Sequence, residues 1–284
     1  MEVGGALRAY SAVERELLDG YAEQEMCPSA RGQTLIPWPN RLRDGSYEFG
    51  SEDLQLALSE PEKHNAIHGL VRWANWTPAD RREDRVAMEH VLHPQPGYPF
   101  ALGLRIDYRL DESGLTVQTT ATNVGTTESP YGAGAHPYLT AGTGTIDECT
   151  LKSPGAVRMR TDDQAIPTAS ERVDGTRYDF RVPKKLGSTR LDTGYGELDR
   201  DPDGRARVVL EAAADDVRVT LWMDEHYPYL MLFTGDSLPD RSRRRHGLGV
   251  EPMTCAPNAF QSGEGLQRLQ PGDSFTSAWG IQSG

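Results

Sequence analysis

The chain of 284 residues is poor in cysteine and has no long apolar run. Its three cysteines, Cys27, Cys149 and Cys255, are far apart and odd in number, which argues against a disulfide framework and a paired-cysteine metal site. No stretch approaches the roughly 20 apolar residues of a membrane-spanning helix. The segment from Met1 to Tyr10 also lacks the pattern of a secretory signal. We therefore expect a cytoplasmic protein that has no membrane partner.

The sequence also lacks an excess of positive charge. Its formal net charge of -12 argues against nucleic-acid and anionic-membrane surfaces, which need a basic face. The local exception is a run of arginines in the polar, turn-rich segment Pro239–Gly249, which we predict to be a surface loop. Arg241, Arg243, Arg244 and Arg245 form this cluster. It is either a solvated loop or, because Glu251 follows closely, a cation cluster that overhangs a site.

What the sequence does contain is short β-type runs between turn signals. Hydrophobic residues make up 37% of the chain, enough for a packed core. Leu104–Leu110 and Leu115–Thr122 alternate apolar and polar residues on either side of a turn and predict a hairpin. Further strands are predicted at Glu2–Arg8, Ser46–Phe49, Leu54–Leu58, Ala206–Glu211, Val217–Met223, Tyr229–Thr234 and Phe275–Ile281. There is no long amphipathic helix, repeat or linker, so we predict an all-β, antiparallel β-sandwich forming one domain over residues 1–284.

Five polar residues stand in segments otherwise rich in apolar residues, glycine and proline: Arg41, His68, His136, Asp192 and Glu251. A neutral sugar is bound by such a mixture of apolar faces and a few convergent donors and acceptors. An imidazole can donate a proton near neutral pH and a carboxylate can accept one. A histidine and a glutamate across a sugar ring could therefore open a hemiacetal without a metal or cofactor.

The same residues carry a resemblance to a known family. Its motifs are Pro39-Asn40-Arg41, Asn65-x-x-His68-Gly69, His136-Pro137-Tyr138, Asp192-x-x-Tyr195, Pro228-Tyr229…Thr234-Gly235-Asp236 and Glu251-Pro252. In this order they resemble the motifs of the aldose 1-epimerase (galactose mutarotase) family and extend over almost the whole chain. The resemblance implies a galactose mutarotase-like supersandwich with a cleft on one sheet, an isomerase activity on a hexose, and no metal or cofactor.

The resemblance also implies roles for individual residues. Glu251 matches the general base, His136 the general acid, and His68 a second histidine that orients or polarises the sugar. Arg41 and Asp192 match residues that hydrogen-bond sugar hydroxyls. Asn40 and Trp38 are predicted substrate-binding residues from the same segment as Arg41, with Trp38 as a stacking surface.

Taken alone, most of these residues have simpler interpretations. Arg41 suits a structural ion pair and Asp192 an Asx-type turn. Each histidine suits a core or turn position in which its ring nitrogens are hydrogen-bonded. The spacing of His64 and His68 would suit metal ligands only on a helix, which Asn65 and Gly69 disfavour.

Three other functions remain open from the sequence. One is a mutarotase for an anionic sugar, either a hexose 6-phosphate or a sulfo-sugar, bound by the arginine cluster. The second is a non-catalytic carbohydrate-binding sandwich, and the third is a glycosidase with two carboxylates. In each case the expected partner is a small-molecule sugar, with no nucleic acid or membrane, and the protein is expected to be a monomer or homodimer.

Overall fold

The computed structural model describes residues 1–12, 14–142, 144–212 and 217–284. The strands in chain order are β1 (Ser11–Ala12), β2 (Arg15–Glu16), β3 (Thr34–Leu35), β4 (Arg41–Arg43), β5 (Ser46–Phe49), β6 (Glu52–Gln55), β7 (Asn65–Ile67), β8 (Thr77–Arg81), β9 (Arg85–Leu92), β10 (Leu102–Asp111), β11 (Gly114–Asn123), β12 (Ser129–Tyr131), β13 (Gly134–Ala135), β14 (Tyr138–Leu139), β15 (Cys149–Lys152), β16 (Gly155–Thr161), β17 (Pro167–Arg172), β18 (Lys184–Lys185), β19 (Asp192–Leu198), β20 (Ala206–Ala212), β21 (Val217–Met223), β22 (Tyr229–Phe233), β23 (Leu248–Met253), β24 (Gln267–Leu269) and β25 (Ser274–Ser283). Helical structure within these ranges is limited to α1 (Ala259–Ser262) and the short 3-10 segments Pro28–Ala30, Pro61–Lys63, Ile146–Glu148 and Arg241–Arg243.

Two large antiparallel sheets share one hydrophobic core. Sheet A has nine strands in the order β18-β15-β20-β21-β25-β11-β10-β9-β8. Sheet B has the order β17-β16-β19-β22-β23-β13-β3, and β14 pairs with β23 beside this path. The ribbons β1-β2, β4-β7, β5-β6 and β12-β24 lie outside these sheets. This architecture confirms the predicted all-β, antiparallel fold.

Sheet A forms where hydrophobic and polar residues alternate. Along β11, buried side chains such as Leu115 and Val117 alternate with partly exposed ones, as expected for a strand with one face on a core. β10 pairs with β11 over its full length: Leu102 lies opposite Asn123 at one end, and Asp111 lies opposite Gly114 at the other. The predicted hairpin is therefore confirmed, and both strands extend beyond the predicted limits.

Other strand predictions had mixed outcomes. Ser46–Phe49 and Val217–Met223 are strands with the predicted limits. The strand predicted at Leu54–Leu58 begins and ends earlier, as β6 (Glu52–Gln55). The reason is that the chain turns back directly after Phe49 and pairs with β5. The strand predicted at Glu2–Arg8 is wrong, since this segment makes one isolated bridge, from Val3 to Asn75. No helix of the described residues has the length and apolar character needed to cross a membrane.

Candidate active site

The strand register of sheet B places His136 opposite Glu251. β13 and β14 both pair with β23, through Gly134 and Tyr138 respectively. His136 lies in the short break between β13 and β14 and faces the middle of β23, where Glu251 is located. Two residues that are distant in sequence are thus brought together by backbone pairing, which is a rigid way to position reactive groups.

The two side chains are in direct contact. His136 Nε2 lies 3.3 Å from Glu251 Oε1, and the residues are only 5% and 3% exposed. His136 Nδ1 and Glu251 Oε2 are buried without a hydrogen-bond partner among the described residues. Since an unsatisfied buried polar atom costs free energy, the unpaired Oε2 of Glu251, a residue of the cleft lining, is a natural contact for a polar ligand.

Neighbouring aromatic and charged residues hold the His136 ring in place. The ring is stacked on Tyr138, with 5.0 Å between centroids and an interplanar angle of 13°. The Arg31 guanidinium lies 4.3 Å from the centre of the Tyr138 ring and is bound to Asp19. This stack restricts rotation of the imidazole and keeps Nε2 directed at Glu251.

His68 completes the group, and its protonation pattern follows from its contacts. Its ring lies edge-on to His136, at 5.4 Å between centroids. The backbone N–H of Asn40 donates to His68 Nδ1 at 3.2 Å, and the backbone N–H of His68 donates to the Asn40 carbonyl at 2.8 Å. Because Nδ1 accepts a hydrogen bond, the neutral ring carries its proton on Nε2. His68 can therefore donate a hydrogen bond to a sugar oxygen.

This tautomer also bears on metal binding. His68, His136 and Glu251 offer ligand atoms within 4.8 Å of one another, and two histidines with a glutamate form a known zinc donor set. A protonated Nε2 cannot act as a ligand. The alternative tautomer would place a proton on Nδ1, directly against the Asn40 N–H. The residues therefore fit a hydrogen-bonding site better than a metal site.

The pKa values of the pair are displaced in opposite directions. Burial, and to a lesser extent the charge of Asp192, raise the pKa of Glu251 to about 8 against the opposing charge of Arg41. Burial lowers the pKa of His136 to about 3 and lowers that of His68 well below its ordinary value. Between these limits the pair of His136 and Glu251 holds a single proton. Their contact at neutral pH is thus a hydrogen bond between neutral groups rather than an ion pair.

Arg41 and Asp192 lie close enough to Glu251 for their charges to shift its pKa. Arg41 makes two hydrogen bonds to Glu60, at 2.7 and 2.8 Å, and Asn65 also donates to that carboxylate at 3.1 Å. Glu60, which the sequence did not single out, is therefore a positioning residue. Asp192 begins β19 and is exposed. Both Arg41 and Asp192 line the cleft above Glu251.

The cleft has a volume of about 520 Å³, within the range of small-molecule sites. It brings together most of the predicted site residues: Asn40, Arg41, His68, His136, Asp192 and Glu251. Trp38 is not among the lining residues. It is 3% exposed and its ring lies 5.4 Å from that of Phe260, between centroids, so the structure places it in the core.

The arginine cluster is also absent from the cleft lining, which contains Pro239 from the start of that loop and the two preceding residues, Ser237 and Leu238. Arg243 is bound to Asp19, and Arg245 to Asp147 and Asp236. Arg243 and Arg245 therefore fix the loop to neighbouring segments, and none of the four arginines is among the residues that line the cleft.

The cleft includes further residues that the sequence analysis missed. Met231 and Phe233 lie on β22, opposite Glu251 and Gly249 respectively, and offer an apolar surface. Arg72 follows the His68 motif and also lines the cleft. The available signal was an arginine between the apolar residues Val71 and Trp73, a context that resembles those of the predicted site residues.

Comparison with known proteins gives matches along almost the whole chain. The family model for aldose 1-epimerase matches residues 1–282. The uncharacterized protein YihR of Escherichia coli K12 is 32% identical over 271 residues, which cover 95% of this chain and 84% of YihR. The name of this relative gives no activity.

Solved structures show the same fold at lower identity. A GalM/aldose epimerase homologue from C. elegans has a TM-score of 0.87 and 17% identity, covering 100% of this chain and 94% of its own. A putative aldose 1-epimerase from Escherichia coli K12 has a TM-score of 0.83 and 20% identity, with coverage of 100% and 94%. The galactose 1-epimerase of Lactobacillus acidophilus has a TM-score of 0.79 and 19% identity, with coverage of 100% and 90%. The fold is thus galactose mutarotase-like, and the chain belongs to the aldose 1-epimerase family.

Proposed function

We propose that the protein is a mutarotase that interconverts the α and β anomers of a hexose. The observation that carries the proposal is the contact between His136 and Glu251, 3.3 Å apart at the base of a cleft of sugar-binding size. The pair holds one proton and has two sites to place it, as acid–base catalysis on a hemiacetal requires.

The reaction proceeds in three steps. Once the shared proton has passed from Glu251 to His136, the carboxylate of Glu251 takes the proton of the anomeric hydroxyl while the His136 imidazolium protonates the ring oxygen, and the C1–O5 bond breaks to give the open aldehyde. Rotation about C1–C2 then turns the other carbonyl face toward the ring-closing hydroxyl. Reclosure with reversed proton transfers gives the opposite anomer and restores the pair. His68 donates to a sugar oxygen through Nε2, and Arg41 and Asp192 bind hydroxyls.

The experiment compares wild type with Glu251→Gln and with Glu112→Gln, which changes an exposed acid in a turn outside the cleft. Relaxation of freshly dissolved α-glucose and α-galactose is followed by polarimetry. Wild type and Glu112→Gln should accelerate relaxation, and Glu251→Gln should lose about 10²- to 10⁴-fold of that rate. Sugar binding without acceleration in wild type would instead identify a carbohydrate-binding module.

The remaining expectations concern the cellular setting. We propose a cytoplasmic location and a monomer or homodimer. The free, buried state of Cys27, Cys149 and Cys255 is in keeping with a reducing compartment. Sedimentation of the purified protein would test the oligomeric state.

A further inference from the structure

Arg31 is a buried cation beside the stack of Tyr138 and His136. It is only 2% exposed, and its guanidinium carbon lies 4.3 Å from the centre of the Tyr138 ring. The described residues that line the cleft include Tyr138 but not Arg31. Arg31 is therefore placed to influence a bound sugar through other residues and not by contact.

Arg31 belongs to a cluster of three charged residues centred on Asp19. Asp19 Oδ2 accepts hydrogen bonds from Arg31 Nε at 3.2 Å and from Arg31 Nη2 at 2.9 Å. Asp19 Oδ1 accepts one from Arg243 Nη2 at 2.9 Å. The backbone N–H of Asp19 also donates to the Tyr138 carbonyl at 2.9 Å. With two guanidinium groups and one carboxylate, the cluster keeps a net positive charge next to Tyr138.

Stability alone does not account for this cluster. Burial of an ion pair costs desolvation free energy, and apolar residues of similar volume are often equally stable or better. The segment that carries Arg31 is instead bonded to the catalytic histidine and its neighbour. The Gly32 N–H donates to the His136 carbonyl at 2.9 Å, and the Tyr138 hydroxyl donates to the Ser29 carbonyl at 3.2 Å. Both the backbone and the ring stack of His136 are thus held from the Arg31 side.

The charge of Arg31 also acts on His136. Burial, and to a lesser extent the charges of Arg72 and Arg31, lower the pKa of His136 to about 3. The titratable groups in contact with the His136 ring are Tyr138, His68 and Glu251. A nearby positive charge disfavours the imidazolium. The shared proton therefore rests on Glu251, and the imidazolium, once formed, is a strong acid toward the weakly basic ring oxygen.

We propose that Arg31 is a positioning residue of the mutarotase reaction, which holds the His136 ring through Tyr138 and favours release of the His136 proton to the sugar ring oxygen. This inference rests on the proposed mutarotase function. Asp19 fixes the guanidinium of Arg31 against Tyr138. Because Asp19 is shared with Arg243, it does not fully neutralise the charge of Arg31.

The test measures kcat and KM for anomer exchange of glucose and galactose by NMR saturation transfer from about pH 3.5 to 7. The proteins are wild type, Arg31→Met, Arg31→Lys, Asp19→Asn and Arg205→Met. Methionine removes the charge but keeps much of the aliphatic stem, and lysine keeps the charge but not the planar fork. Arg205→Met is the matched control, because Arg205 lies 3.9 Å from the centre of the Trp222 ring, outside the cleft. Thermal unfolding at each pH checks that the variants are folded.

Loss of the Arg31 charge should change both kcat and the pH profile. We expect kcat in Arg31→Met to fall about 10- to 100-fold with KM nearly unchanged, because Arg31 orients His136 without touching the sugar. The pH at which kcat/KM falls on the acid side should rise by about one unit, since a positive charge near His136 is lost. Arg31→Lys should keep the wild-type acid limb and recover part of kcat. Arg205→Met should match wild type.

Asp19→Asn separates this role from structural damage. Loss of the carboxylate leaves the positive charge of Arg31 less compensated, so the acid limb should stay at or below its wild-type position. Damage that admits water to His136 would raise the limb in both variants. An unchanged kcat or acid limb in Arg31→Met, or an equal rise of the limb in Arg31→Met and Asp19→Asn, would overturn the proposal. Arg31→Gln, which is neutral but can still donate to Asp19, replaces Arg31→Met if methionine prevents folding.

Failure of the mutarotase proposal would give a different result, because wild type would then accelerate neither sugar. The titration of His136, followed by NMR of histidine-labelled protein and assigned with His136→Gln, then tests the role of Arg31. Protonation of His136 at a higher pH in Arg31→Met than in wild type, but not in Asp19→Asn, would retain the action of Arg31 on His136. Identical titration in wild type and Arg31→Met would reject that action as well.

Discussion

The single proton shared by His136 and Glu251 leads to a prediction for the pH dependence of activity. With the pKa of Glu251 at about 8 and that of His136 at about 3, the active one-proton form persists over the range between them. We expect kcat/KM to be level from about pH 4 to 7 and to fall as the pH rises through about 8, where the pair loses its proton. The rate of anomer exchange, measured by NMR saturation transfer at a series of pH values across this range, tests the prediction. A bell centred between the ordinary values of 4.5 and 6.5 would contradict it.

Burial of Glu251 should also reduce stability at higher pH. Its pKa is raised in the folded state, so the folded protein binds the proton more tightly than the unfolded chain. The free energy of unfolding therefore falls as the pH rises from about 4.5 to 8. In Glu251→Gln this loss is absent. The stability of the variant relative to wild type should increase by roughly 3–4 kcal/mol between about pH 5 and pH 8.

Urea denaturation at both pH values measures this change, with Glu112→Gln as the control for an exposed acid. A constant difference between wild type and Glu251→Gln would show that Glu251 titrates normally. The expected gain in stability accompanies the expected loss of activity, which is the usual relation at a buried catalytic group.

The sequence identified candidate residues more reliably than their geometry. His136 and Glu251 were selected by residue type and motif, but their contact depends on two short strands pairing with β23. Trp38 was assigned to the substrate because tryptophan suits both a core and a sugar face. Its partner Phe260 comes from a distant part of the chain, and no local pattern reports that contact. Arg72 was missed because no local pattern in the sequence shows that its side chain lines the cleft.

At the scale of elements, β4 and β7 form the arm that carries Arg41 and His68. This arm is tied to the segment before β4, because the Leu70 N–H donates to the Ile36 carbonyl at 2.7 Å. Gly69 lies inside this connection with φ of +70°, and a Cβ there would lie 2.0 Å from the Ile36 oxygen. Only glycine fits both the backbone conformation and the close approach.

Gly69→Ala should therefore destabilise the protein and displace His68. Gly50→Ala is the matched control, because Gly50 has φ of +67° but nothing within 4 Å of its Cβ position. The control should cost about 1–2 kcal/mol for the left-handed backbone alone. The loss in Gly69→Ala should exceed that of the control and should include loss of anomer exchange. Thermal unfolding and activity of the two variants test this, and equal losses would contradict the steric argument.

The elements also show which strands a sequence can predict. The hairpin of β10 and β11 was predicted because long strands with one buried face alternate regularly. β3, β13 and β14 have two residues each, too few to show a period of two. These short strands build the active site, so the sequence predicted the body of the sandwich well and the position of its cleft poorly.

At the scale of the whole molecule, the C-terminal strand completes the centre of sheet A. β25 lies between β21 and β11, which come from distant parts of the chain. Its residues Trp279 and Ile281 are 3% and 0% exposed and belong to the common core. The halves of sheet A on either side of β25 are therefore joined through the last strand of the chain.

Truncation after Asp273 should prevent cooperative folding. It would expose the facing edges of β21 and β11 and leave a gap in the core, and unpaired central strand edges favour aggregation. Removal of Gly284 alone is the control, since it lies beyond the last residue of β25 and takes away only its backbone hydrogen bonds with Arg218 and no core side chain, so it should lower the melting temperature only slightly. Solubility, circular dichroism and thermal unfolding measure the effect. A soluble truncated protein with a native spectrum and a cooperative transition would show that the two halves of sheet A are stable without the strand that joins them.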